Sequence, residues 1–202
     1  MANTDAPFGF KLVSAPNPNF MQFYPLVTTY ATSVFRGDLV GAPAAMAGLV
    51  CGKLDGSTRP GMEIIATGVE GEVFGVVMGT YDDDVLPQLY HVASAAGDGV
   101  VAGYVLTCTD PDAIFLVQED GDTTPIPAAS AGMNCDAIST HAGSTTTGQG
   151  KMELDSDTEN ATATLAVKLI RSYRDDTVAS AYCRWFVKLN AAAMGSNVLS
   201  GE

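Results

Sequence analysis

The chain has 202 residues, is 47% hydrophobic with a mean hydropathy of +0.16, and sets 10 basic against 23 acidic residues for a formal net charge of -13. That length and hydropathy exclude disorder throughout and provide for a sizeable core, and so much negative charge excludes nucleic acid as a partner. No run approaches the roughly 18 apolar residues of a membrane helix, and "MANTDAPFGF" lacks the basic start and apolar centre of a secretory signal, so the sequence reads as a soluble, non-exported protein without a membrane partner.

Residues 1–20 contain Pro7, Pro16 and Pro18, which remove backbone donors and bias the preceding residue to extended geometry. The segment is expected to be an extended N-terminal arm. Its apolar residues Phe8, Phe10, Leu12 and Val13 have little local sequence to pack on, so the arm is expected to dock on a surface and to serve attachment more than folding. Residues 21–190 read as a single β domain. Within it, "LVTTYATSVFRGDLV" (26–40) is a strand, a Gly-Asp turn and a second strand, and "EIIATGVEGEVFGVVMGTY" (63–81) is a β-rich run punctuated by glycines that oppose a helix. Further strands are expected at 88–93, 100–107, 113–118, 133–138 and 151–154.

The stretch "LAVKLIRSYRDDTVASAYCRWFVKLN" (165–190) closes the pattern. Leu165, Val167 and Leu169, then Cys183, Trp185, Val187 and Leu189, alternate with polar positions on either side of an Arg-Asp-Asp-Thr break, which predicts a long hairpin. Five of the ten basic residues lie on it: Lys168, Arg171, Arg174, Arg184 and Lys188. By contrast, residues 81–150 contain no Lys or Arg and ten acids. Residues 191–202, "AAAMGSNVLSGE", are expected to be a flexible tail. Many short strands without helical periodicity indicate an all-β fold, a compact β-barrel or β-sandwich.

Chemistry is mostly declined. Cys51, Cys108, Cys135 and Cys183 form no CxxC pair and stand among apolar or small neighbours, so they are expected to be buried free thiols. "DSDTEN" (155–160) has oxygens at alternate positions but places Asn160 where a calcium loop needs Gly and Ala166 where it needs Glu. The carboxylates of "YDDDV" and "QEDGD" read as solvated turns, and Arg36-Gly37-Asp38 as an ordinary turn. His91 and His141 neighbour no nucleophile in an elbow context, and Trp185 reads as a core residue. Neither an enzyme nor a cofactor is expected.

Certain landmarks recur in a fixed order: Phe8-Gly9-Phe10, "YATSVFRGDLV" at 30–40, "GVVMG" at 75–79, "DPDAIFLVQ" at 110–118, "GMNCD" at 132–136, "TGQGKMELD" at 147–155 and the hairpin. In this order the chain resembles the tailed-bacteriophage head decoration (capsid cement) proteins. It departs from them at Leu39, where such proteins often carry proline, and in its acidic "EDGD" loop. The resemblance implies a virion structural protein on the outer capsid surface, with the major capsid protein and its own copies, as a homotrimer, for partners. The capsid or subunit interface is expected to include Phe8, Phe10, Leu12, Lys168, Arg171, Arg174, Arg184 and Lys188. The alternative class is a fibre-base or tail-associated adhesin that binds host glycans.

Overall fold

Runs of Val, Ile, Phe and Tyr broken by Gly, Pro or Asp suit short pleated strands, and the chain is all-β. The computed structural model describes residues 3–28, 30–42, 48–65, 73–93, 100–162 and 164–190. The strands are β1 (Lys11–Ser14), β2 (Met21–Val27), β3 (Leu39–Gly41), β4 (Leu49–Val50), β5 (Thr58–Arg59), β6 (Glu63–Ile64) and β7 (Gly75–Asp82). They continue as β8 (Pro87–Gln88), β9 (Val101–Cys108), β10 (Ile114–Gln118), β11 (Asn134–Ile138), β12 (Glu153–Asn160), β13 (Val167–Ser172) and β14 (Arg184–Leu189).

The arrangement is sandwich-like. One large sheet runs β1-β10-β14-β13-β11-β12, a second runs β2-β9-β7-β3-β6 with β8 on the end of β7, and β4 and β5 pair as a separate two-stranded sheet. Within each, the strands pair antiparallel. The first sheet also curls: just past β10, Glu119 bridges Leu154 of β12, and the Asp120 N–H donates to the Leu154 carbonyl at 3.0 Å. Inside the curl, Phe115, Val117, Trp185, Val187, Leu189, Val167, Leu169 and Leu154 meet Leu39, Val76 and Cys108 of the second sheet in one core. The second sheet is covered on both faces, because successive residues Leu39 and Val40, and again Val76 and Val77, are fully buried. Its far face packs Tyr24, Leu26, Phe74 and Val105 against Val34 and Met62.

The hairpin at 165–190 forms as read, with all seven of its alternating apolar residues buried, Trp185 among them. The strands expected at 100–107, 113–118 and 133–138 are β9, β10 and β11. Other expectations are corrected. Residues 88–93 are not a strand; only β8 and an isolated His91–Val34 bridge form there. β12 runs from Glu153 through "DSDTEN" to Asn160, so that stretch is strand where a loop had been considered. The run at 63–81 is strand at β6 and β7, and its residues 66–72 lie outside the described residues, as does the 191–202 tail.

The N-terminal segment, described from Asn3 onward, is bound at several points to its own fold. The Asn3 side-chain amide donates to the carbonyls of Thr177, Ser180 and Ala181, and its Oδ1 accepts the Thr177 N–H. Gln118 donates to the Thr4 carbonyl and accepts from the Ala6 N–H. Gly9 and Gly37, both with positive φ (67° and 92°), cross so closely that a Cβ on Gly9 would lie 2.9 Å from the Gly37 carbonyl oxygen. That crossing lets the Phe10 N–H reach the Gly37 carbonyl at 2.8 Å and seats the Phe10 ring, 1% exposed, in the main core. β1 then adds an edge strand to β10. Phe10 and Leu12 had no local partners in sequence because the buried core they join is drawn from residue 39 onward.

Candidate docking face

Opposed residues in a sheet share a face. Lys11 opposes Leu116, Leu116 opposes Phe186, and Phe186 opposes Arg171, so one rung crosses the outer face of β1, β10, β14 and β13 as cation, apolar, apolar, cation. A second rung sets Lys188 beside Lys168 and Lys168 beside Asn134. Leu116 and Phe186 remain half-buried, and Val13 of β1 is 51% exposed.

A bulge in β13 makes this face. Between Leu169, opposite Val187, and Arg171, opposite Phe186, the strand carries one extra residue, Ile170. Uninterrupted alternation would have placed Ile170 opposite Phe186 and turned Arg171 inward; the bulge re-aims Arg171 outward.

The cations are held in two ways. The Arg171 guanidinium carbon lies 4.1 Å from the Phe186 ring centroid and that of Arg184 lies 4.2 Å from Tyr173, with the two rings 5.9 Å apart. Arg184 is also engaged by Asp176, through Nε to Oδ2 at 2.9 Å, Nη2 to Oδ1 at 2.6 Å and its backbone N–H to Oδ2 at 2.8 Å. Those Arg184 hydrogen bonds hold the Asp176 carboxyl below its ordinary value and raise Arg184 in turn. Lys188 Nζ meets Asp112 at 2.9 Å. Lys11, Lys168 and Arg171 make no ion pair among the described residues, in a chain where acids outnumber bases 23 to 10.

Of the residues expected at an interface, Lys168, Arg171, Arg184 and Lys188 are brought together on this face. Arg174 is not among them: it stands 86% exposed on the hairpin loop beside Asp175. Phe10 is withdrawn into the core, Leu12 packs partly against it, and Phe8 is half-buried. Lys11, Leu116 and Phe186 were missed as a set. Phe186 sat visibly among polar hairpin positions, but the lateral neighbours of Leu116 and Lys11 depend on pairings across the sheet.

The acidic turns are less solvated than their composition suggests. Glu119 is fully buried; its Oε2 accepts the Ile126 N–H at 3.0 Å and its Oε1 the Cys183 N–H at 3.4 Å, and burial pushes its pKa to about 7. Asp38 of the Arg-Gly-Asp turn is 2% exposed, accepts the Phe35 N–H at 2.8 Å and is likewise raised by burial to about 7, so this tripeptide is a structural turn. His141 Nδ1 lies 2.8 Å from Glu153, and His91 is buried with neither ring nitrogen hydrogen-bonded among the described residues and its pKa lowered by burial. All four cysteines are buried and free, and burial lifts Cys183 to about 12. Among the described residues no cluster of His, Cys, Asp or Glu is arranged for a metal ion, and no helix is long and apolar enough to cross a membrane. Comparison with protein-family models, with curated proteins and with solved structures gives no match.

Proposed function

We propose that the protein is a virion structural protein that decorates the outside of a bacteriophage head and binds the major capsid protein. The observation that carries this reading is the gathering of five cations, three of them (Lys11, Lys168 and Arg171) without an ion pair among the described residues, on one half-apolar sheet face of an otherwise acidic chain. Such a face is suited to an acidic protein surface, while the acidic remainder of the molecule repels nucleic acid. The ordered landmarks from Phe8 to the hairpin support the same reading, and they alone point to homotrimers.

Packaged DNA presses outward on a phage shell, so a protein bridging neighbouring shell subunits adds contacts that must break before the shell opens. Many modest interfaces repeated over the surface then act together. No step of this role calls for a catalytic group or a cofactor. Negative-stain microscopy of virions carrying a tagged copy tests it: even label over the heads is expected, and label confined to one vertex or to the tail would replace this reading with the adhesin.

A further inference from the structure

We infer that the rung Lys11–Leu116–Phe186–Arg171 is the recognition element of this face, and that it receives a segment of the shell protein presenting an apolar side chain between two carboxylates. The inference rests on the decoration reading and specifies its partner. Four adjacent strands at about 4.8 Å spacing put the backbones of Lys11 and Arg171 about 14 Å apart, with Leu116 and Phe186 between them and the Arg171 guanidinium drawn in over Phe186. A partner that matches the rung presents one acidic group to Lys11 and one to the Arg171 guanidinium, and buries an aliphatic or aromatic side chain between them against Leu116.

The protein's own carboxylates show how the partner's would sit. Asp176 takes the Arg184 guanidinium through two side-chain nitrogens, and Asp112 takes Lys188, both on cations of the same face. The cations at the two ends of the rung have no such partner among the described residues. Arg171 is also prepared for one. Its guanidinium carbon is held 4.1 Å over Phe186 and its N–H groups have no hydrogen-bond or ion-pair partner among the described residues, so less side-chain freedom is lost when a carboxylate binds in a two-pronged fashion. The β13 bulge that turns Arg171 outward has its functional meaning here.

The test titrates full-length protein onto undecorated heads at low and high salt. Wild type is expected to bind and to weaken as salt rises. Arg171→Ala is expected to bind about tenfold more weakly, and Arg171→Lys about threefold, because the lysine keeps the charge and loses the planar fork. Lys11→Ala should fall between them, and Arg174→Ala, off the rung, should bind like wild type. Thermal melts of each variant check folding, and Arg171→Lys keeps the test open should Arg171→Ala fold poorly. Wild type that decorates heads with Arg171 variants equal to it overturns the rung and leaves decoration standing. An equal loss for Arg171→Ala and Arg174→Ala also overturns it, since only net charge would then matter. Failure of wild type itself to bind heads removes the decoration reading and the rung with it.

Discussion

Arg171 on β13 and Glu119 just past β10 belong to the same curled sheet and carry charge in opposite ways. Arg171 is exposed, stacked on Phe186 and without an acidic partner among the described residues. Glu119 is buried on the inside, takes two backbone N–H groups and is shifted toward its neutral form. Charge on the outer face is therefore available to a partner and sensitive to salt, whereas charge inside is committed to the fold and sensitive to pH. One sheet thus separates an exposed charged face from a buried core, and that separation can be attacked from either side.

The strongest attack on the interior is Phe10→Ala. Removing a fully buried ring from the shared core is expected to cost about 3–5 kcal/mol, read as a lower urea midpoint, while Arg171→Ala stays within about 0.5 kcal/mol of wild type. Were Phe10→Ala as stable as wild type, the N-terminal segment would be the loosely attached arm its prolines suggest.

A second attack uses pH. Asp38 and Glu119 titrate near 7 when folded against about 4 when unfolded, so between those values the folded state holds more protons. Stability contributed by these groups is then present at low pH and lost as pH rises through 7. Urea melts are expected to show about 1–3 kcal/mol more stability at pH 6 than at pH 8, with Glu119→Gln flattening the slope. His91, buried and with its pKa lowered by that burial, works in the opposite sense, but only as pH falls below its ordinary value near 6.5. Below about pH 4 Asp176, held down by Arg184, loses its contribution as it protonates.

The outer face responds to smaller effects. Asp176→Asn breaks a half-buried, doubly bonded pair and is expected to cost about 1–2 kcal/mol of stability. Lys188→Gln removes a more exposed pair and is expected to cost less than about 1 kcal/mol, vanishing in high salt. A larger cost for Lys188→Gln would mean that the face contributes to folding as well as to binding.

How far these regions were legible in the sequence follows from where their partners lie. The hairpin's apolar alternation is self-contained, since β13 and β14 pair with each other, and all seven inward residues were readable. Strict alternation could not have placed Arg171, because the bulge at Ile170 leaves no signal in the residue types. Phe10 pairs its N–H with Gly37 and its ring with a core drawn from both sheets, and Asn3 docks on carbonyls 174 to 178 positions away. Prolines and sparse local apolar residues therefore mimic a free arm. Glu119 read as one more acid in a solvated turn, and only the closing contact between Glu119 and Leu154 shows why it is buried.

Hydrogen–deuterium exchange on the protein bound to undecorated heads tests the central claim most directly, because it maps the covered face without altering a residue. The account predicts slowed exchange in the peptides spanning 11–14, 114–118, 167–172 and 184–189, with β2 and β8 of the other sheet exchanging as in the free protein. Protection centred on β2 and β8, with the outer face of β10, β13 and β14 unchanged, would contradict it.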